Sequence, residues 1–340
     1  MIKSLIGLGD AHLRNEDFYM TGLKGFSEWF DKKFPDSGKD STELVLAGDV
    51  LNKVLMLPRV GASAIDLFAL LHRKASTVYV VLGNHDYGLN KYKVINIKPF
   101  LEKENIIVID DLCEYTTKLG FELLCLPWKY GATHTHVNSF IANLTPKEYD
   151  ACIAHWELES LYGSDFVDLS KVNAKSFMCG HIHQHSVNSK YLGSILPNNI
   201  EEKKDTDPSI VRVLVKDSES GKFKNYDIDI PSFLQLRSIK IDSLTDLNSL
   251  EKGENIFYKI FYTKTLSIKD VKDQAKILGV NIYSVEATVD KKSDTDLKND
   301  LENIKEYVAQ SHEDLLKLYA EKLGLDSNLI NLCTQAIQVA

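Results

Sequence analysis

The chain has 340 residues, 44% of them hydrophobic and 26% charged. That is the composition of an ordinary globular protein of one large domain or two, able to bury a core without disulfide staples, and not of a disordered or collagenous one. Forty Lys and Arg against forty-eight Asp and Glu leave a formal charge of −8, which excludes a basic nucleic-acid coat. The apolar runs are too short for a transmembrane helix, and the start, Met1 to Gly9, meets Asp10 too soon for a signal peptide.

In chain order, short apolar runs recur and each ends in a polar cluster. Ser4–Gly9 leads into Asp10-Ala11-His12. The helical repeat of Leu23, Phe26, Phe30 and Phe34 follows. Glu43–Ala47 leads into Gly48-Asp49, and a second helical repeat runs through Ile65, Phe68 and Leu71. Val78–Leu82 leads into Gly83-Asn84-His85-Asp86, Ala151–Ala154 into His155, and Ser176–Cys179 into Gly180-His181-Ile182-His183. Short runs rich in Val, Ile and Leu predict buried strands, and their alternation with helices predicts an α/β sandwich. Ligands of such folds sit beyond the carboxyl ends of the strands, where every one of these polar clusters lies.

After Gly193 the pattern changes. Ile200–Pro208 is charged and turn-rich and predicts an exposed loop; Ile210–Val215 and Tyr226–Ile230 predict closing strands. A smaller unit begins near Arg237, with strands at Asn255–Tyr262 and Asn281–Thr288 flanking a helix at Ile268–Leu278. Asp290–Asp300 is densely charged and reads as a linker or a solvated helix start. Beyond it lie helical stripes, Leu297, Leu301, Ile304 and Val308, then Leu315, Leu316, Tyr319 and Leu323 before Gly324, with a third capped by Asp326-Ser327. The five cysteines are widely spaced with no C-x-x-C pair, which points to a reducing cytoplasm and no zinc cage. Cys125, Cys152 and Cys179 sit inside apolar runs as inert thiols.

Each polar cluster alone is a weak signal, and a tight turn explains most of them. Their joint occurrence points to metal. Asp10, His12, Asp49, Asn84, His155, His181 and His183 are oxygen and nitrogen donors, all at strand ends. They are too many for one tetrahedral site and fit two ions sharing a carboxylate bridge. A two-ion clamp of that kind stabilises both sides of an in-line displacement at phosphorus. His85, beside Asn84 at a strand end, is a candidate proton donor or phosphate contact.

The order D-x-H, G-D, G-N-H-D, H and G-H-x-H resembles the calcineurin-like metallophosphoesterases over roughly residues 1–195. The resemblance implies that Asp10, His12, Asp49 and His183 hold one ion and that Asp49, Asn84, His155 and His181 hold the other, with Asp49 bridging. It implies an unligated His85 that aids the transition state, and manganese as the metal, with magnesium as the substitute. Val50-Leu51-Asn52 after Gly48-Asp49, and Asp86 after Gly83-Asn84-His85, depart from the protein Ser/Thr phosphatases. Tyr191-Leu192-Gly193-Ser194 resembles the Y-x-G-S of the SbcD branch; Leu126-Pro127-Trp128 and His155-Trp156-Glu157-Leu158 look like its tailed-phage members. That branch implies a nuclease domain over 1–235, a small α/β cap over 236–290, and over 291–340 a linker and a helical tail that binds an SbcC-type ATPase. It further implies a homodimer within a heterotetramer, acting in the cytoplasm, the host's if phage-encoded, and not at a membrane.

One departure concerns chemistry. Many members of the branch carry a His three positions after the bridging Asp, and this chain has Asn52, which neither gives nor takes a proton at neutral pH. Leaving-group protonation then falls to His85 or water. The acidic net charge is offset locally, since residues 51–100 carry seven basic side chains against Asp66 and Asp86. Asn52, Lys53, Arg59, Lys91 and Lys93 are the candidate DNA contacts. The expected activity is metal-dependent duplex exonuclease and single-strand endonuclease action on DNA ends; the alternative is a small-molecule or nucleotide phosphodiesterase on the same scaffold.

Overall fold

The computed structural model describes residues 2–287 other than 15–16, 53–56, 91–92, 102–104, 161–164, 197–207 and 264–265; at 17, 57–65, 89–90, 93–96 and 99–100 it describes the backbone. The chain divides into two compact units, Met1–Ala287 and Thr288–Ala340. The second lies outside the described residues, as do most of the loop predicted at 200–208, Lys53 and Lys91.

Two sheets stack to form the body. The first has the order β12-β11-β1-β2-β3-β6. Its parallel part is β1 (Ile2–Leu8), β2 (Thr42–Leu46), β3 (Thr77–Val81) and β6 (Ile106–Ile109). The antiparallel edge is β11 (Ile210–Asp217) and β12 (Phe223–Asp229). The second sheet has the order β10-β9-β8-β7, from β7 (Cys113–Thr116), β8 (Glu122–Leu126), β9 (Glu148–His155) and β10 (Asn173–Gly180). Its last three strands are mutually parallel. A hairpin of β4 (Tyr87–Asn90) and β5 (Lys93–Asn96) follows the Gly83–Asp86 turn.

The side-chain period of two explains why the strands read as nearly unbroken apolar runs. Leu5, Val45, Ala47, Tyr79 and Val81 face inward and pack with Leu123, Cys125, Ala151, Ile153 and Met178 between the sheets. Their neighbours Ile6, Leu44, Leu46, Val78 and Val80 face outward, into a core closed by two helices. These are α1 (Asp17–Lys33), which buries Leu23, Phe26 and Phe30, and α2 (Leu57–Lys74), which buries Leu67 and Leu71. On the far side, Leu124, Leu126, Cys152 and Ala154 pack with Val137 and Ile141 of α4 (His134–Ala142); a four-residue helix, α3 (Lys98–Leu101), precedes β6. The result is a helix–sheet–sheet–helix sandwich, the fold class expected from the alternation of runs. Cys125, Cys152 and Cys179 are buried as expected, and burial pushes the Cys179 thiol up to about 12.

The smaller α/β module has its own core, from Ile241 to Val280. It is a parallel sheet of β13 (Gln235–Ile241), β14 (Ile256–Tyr262) and β15 (Asn281–Ala287), with α5 (Ile268–Leu278) crossing between β14 and β15. Helix α5 starts where the Ser267 hydroxyl accepts the Asp270 N–H and stops at Gly279, whose φ of 69° closes the C-terminus. Phe257 of β14 and Tyr283 of β15 pack edge-on against Phe18 of α1, so aromatic packing joins the module to the body. Among the described residues no helix is long and apolar enough to cross a membrane.

Candidate metal centre

The carboxyl ends of β1, β2, β3, β9 and β10 meet at one rim. After β1 the backbone N–H groups of Ala11 and His12 donate to the Asp49 carbonyl at 3.1 and 2.8 Å, tying the first two loops together. Asp49 follows Gly48, whose φ is +97° and where a Cβ would overlap the His155 ring; only glycine gives the imidazole that room. Gly83 plays the same part below Asp49, where a Cβ would strike the carboxylate. Among the described residues the non-glycine positions with positive φ are His12 (44°), Asp49 (45°) and His181 (85°). Backbone strain of this kind collects at sites that impose it.

The donors converge as two groups around Asp49, which is 1% exposed. One Asp49 oxygen, Oδ1, accepts the His85 N–H at 2.8 Å and lies 3.3 Å from His155 Nε2. The other, Oδ2, lies 3.6 Å from His12 Nε2. His12 Nε2 faces His183 Nε2 at 2.9 Å. Asn84 Oδ1 stands 3.1 Å from both His155 Nε2 and His181 Nδ1. The Asp10 carboxylate accepts the His181 backbone N–H at 3.0 and 3.1 Å and lies 3.4 Å from His155 Nδ1. The structure therefore brings together all seven expected donors and His85. Donor atoms of Asp10, Asp49 and His155 lie within 4.8 Å of one another, as do those of His12, Asp49 and His85.

Proton accounting shows what the pocket fits. His155 Nδ1 donates to the Ala47 carbonyl at 2.7 Å, leaving Nε2 with a lone pair. That lone pair, Asn84 Oδ1 and Asp49 Oδ1 are acceptors pointed at one another. With the Asn84 amide oxygen facing the rings, a cation or an added proton is what satisfies them. Burial alone would strip His155 of charge, yet Asp49, with Asp10 behind it, pushes it up to about 10: the carboxylates demand positive charge at this point. Burial holds His12 well below its usual range, and its buried Nδ1 has no hydrogen-bond partner among the described residues. Burial pushes the Asp10 carboxyl up against the pull of His155 and His183. Neutral imidazole, amide oxygen and carboxylate are the donor set of a divalent first-row metal, and the residues fit a pair of such ions.

Other predicted residues are placed differently. Asn52 contributes its backbone: its carbonyl lies 2.5 Å from His85 Nδ1, which orients the His85 ring edge-on to His12 with centroids 4.9 Å apart. The side chains of Arg59 and Lys93, with Lys53 and Lys91, lie outside the described residues.

Two supports were not predicted. Asp86 is fully buried and accepts the Gly83 N–H at 2.9 Å and the Leu51 N–H at 3.1 Å, bracing the loop that carries Asn84 and His85. Burial, and then the Asp49 charge, push its carboxyl up to about 7. Glu157 lies between His181 Nε2 at 2.8 Å and His134 Nε2 at 2.9 Å. The His181 hydrogen bond leads in pulling the Glu157 carboxyl down to about 2. Glu157 stands two residues after His155, a proximity that was the available signal; His134, the first residue of α4, gave none.

A family model for calcineurin-like phosphoesterases matches residues 4–185, the stretch that supplies every donor above. No curated protein matches the chain. The match covers more than half of the sequence and the donor chemistry beneath it fits divalent ions, so the chain belongs to the calcineurin-like phosphoesterase family and is a metal-dependent phosphoester hydrolase.

Proposed function

We propose that the chain is a manganese- or magnesium-dependent DNA nuclease of SbcD type, a duplex exonuclease and single-strand endonuclease that works in the cytoplasm with an SbcC-type ATPase in end processing, repair, recombination and replication. The observation that carries this reading is the physical linkage of the three segments that resemble that branch. The Tyr191 hydroxyl of Tyr191-Leu192-Gly193-Ser194 accepts the Leu158 N–H at 2.7 Å and donates to the Trp156 carbonyl at 3.3 Å. Trp156 Nε1 in turn donates to the Pro127 carbonyl at 3.1 Å. The segments thus form one buried brace behind His155, as expected if they were kept together for one kind of site. The small module docked on α1 supports the same reading, since a small soluble diester needs no such addition.

In this proposal Asp10, His12, Asp49 and His183 hold one ion and Asp49, Asn84, His155 and His181 the other. Bound divalent ions there supply Lewis-acid charge to the phosphate and acidify the attacking water. The protein's own contribution is positional. The Asn52 carbonyl accepts the His85 Nδ1–H, so Nε2 is the ring nitrogen left for the reaction, and it gives a proton to the departing oxygen from the doubly protonated ring. The apolar stripes read in the sequence at 297–323 make too little core to stand alone and so call for burial against the phosphoesterase body or another chain; the resemblance favours another chain, the ATPase.

The test is hydrolysis of linear duplex DNA, single-stranded DNA and bis-p-nitrophenyl phosphate by the purified chain with manganese, with and without an SbcC-type ATPase. Diester hydrolysis with both DNAs untouched, with or without the ATPase, would move the assignment to a small-molecule or nucleotide phosphodiesterase. Deleting 296–340 should spare the small diester and abolish ATPase co-purification.

A further inference from the structure

The described contacts of Glu157 lead to the back of a proposed ligand. His181 presents Nδ1 to the centre, 3.1 Å from Asn84 Oδ1, and Nε2 to the Glu157 Oε1 at 2.8 Å. A carboxylate accepts and cannot donate, so the proton of a neutral His181 sits on Nε2 and the Nδ1 lone pair is turned inward. The second carboxylate oxygen, Oε2, is taken by His134 Nε2 at 2.9 Å. His134 is itself fixed: it is the first residue of α4, behind the Thr133 cap, and its ring stands edge-on to Trp156 at 5.3 Å. Three residues far apart in sequence thus form a line, His134 to Glu157 to His181, ending at the candidate centre. A surface ion pair would be worth little, but here the carboxylate selects a tautomer.

We propose that Glu157, held by His134, is a positioning residue that locks His181 in the Nε2–H tautomer and so tightens one of the two cation sites. The inference rests on the reading of His181 as a metal ligand and extends it to a pair of residues outside the ligand set. A carboxylate behind a ligating histidine fixes its ring and raises its basicity, and losing such a partner costs 10–100-fold in metal affinity. The effect falls on the site built from Asn84, His155 and His181 and spares the one built from His12 and His183.

Calorimetric titration of the ion-free full chain with manganese chloride alone separates the possibilities. Glu157→Ala should weaken one of two binding steps about 10–100-fold and leave the other unchanged. Glu157→Gln keeps an acceptor for His181 Nε2 and should recover part of that loss. His134→Ala should weaken the same step by a smaller factor, because it frees the carboxylate without removing it. His181→Ala is the control for the underlying reading and should delete the step. If His181→Ala still binds both ions at full affinity, the ligand reading fails and the inference falls with it. If His181→Ala loses the step while Glu157→Ala and Glu157→Gln keep it at wild-type affinity, the ligand reading stands and the clamp is overturned. Should Glu157→Ala not fold, the Glu157→Gln and His134→Ala titrations decide alone: wild-type affinity in both overturns the clamp.

Discussion

Asp49→Asn tests whether one carboxylate serves both cation sites. Asn keeps the volume of the side chain and tolerates the left-handed backbone that Asp49 adopts at φ 45°, so the fold should survive. What changes is charge and donor count. Asp49 presents Oδ1 to the His155 side and Oδ2 to the His12 side, and an amide offers one neutral oxygen and an NH2 in their place. In the wild type, a site at one hundred times its dissociation constant adds about 2.7 kcal/mol to stability. Two such sites add about 5 kcal/mol, and at roughly 2 °C per kcal/mol for a chain of this size the melting temperature rises by about 10 °C. In Asp49→Asn the same manganese concentration should raise it by less than about 2 °C, both sites having lost a charged oxygen. His12→Gln, which touches one site, should keep about half the wild-type rise. The measurement is scanning calorimetry of ion-free protein titrated with manganese. A full rise in Asp49→Asn would refute the shared carboxylate, and a wild type indifferent to every first-row divalent ion would refute the centre.

Three further outcomes follow from individual contacts. His85→Ala should keep the manganese-induced rise in melting temperature and lose hydrolysis by about 10²–10⁴-fold, in line with a ring held by the Asn52 carbonyl; loss of the rise would make His85 a ligand, as its closeness to His12 and Asp49 allows. Gly48→Ala should cost more than about 2 kcal/mol in urea unfolding, from left-handed strain of about 1–2 kcal/mol plus overlap with the His155 ring; a loss below about 0.5 kcal/mol would show that the turn relaxes freely. Burial alone would push the Asp150 carboxyl up, but Lys175, the Glu122 N–H and Lys216 pull it below the usual range. A carboxyl lowered on folding contributes stability above its unfolded value near about 3.9, lost as pH falls through the folded value. Asp150→Asn should therefore cost about 1–3 kcal/mol at pH 7, and its deficit should shrink in strong acid; a deficit independent of pH would refute the pairing.

The body of the fold was legible because its strands are buried on both faces. Leu44, Val45 and Leu46 read as one apolar run although alternate side chains enter different cores. Some strands without that property were missed, as were β6 and β8, apolar runs that no predicted donor follows. The edge strand β7 alternates half-buried Cys113 and Tyr115 with exposed Glu114 and Thr116, and β13 mixes Arg237 and Lys240 with Leu236, Ile239 and Ile241. In both, charged residues on the open face break the run that marked the others. The β4–β5 hairpin was missed for another reason: its strands, Tyr87–Asn90 and Lys93–Asn96, mix Gly, Asn and Lys and carry no apolar run.

The centre was legible to the extent that its donors are local. Metal ligands need particular atoms at strand ends, and the chain can supply them as short patterns such as Asp10-x-His12 and Gly180-His181-x-His183. What orients those ligands is not local. Glu157 and His134 are 23 positions apart, and Ala47 lies 108 positions before the His155 ring that it anchors. The left-handed turns at His12, Asp49 and His181 were equally silent, because no glycine announces them. They persist because neighbours hold them. The Asp49 carbonyl takes two N–H groups from the loop after β1, the Asp49 carboxylate takes the His85 N–H, and the Asp10 carboxylate takes the His181 N–H. Each strained residue is thus pinned by a hydrogen bond to a residue from another strand end, and none of the loops can reach its conformation alone. Such a rim forms only when the sheets have brought the strand ends together. Its donors are then already fixed before an ion arrives, the preorganisation that a centre acting through electrostatics requires.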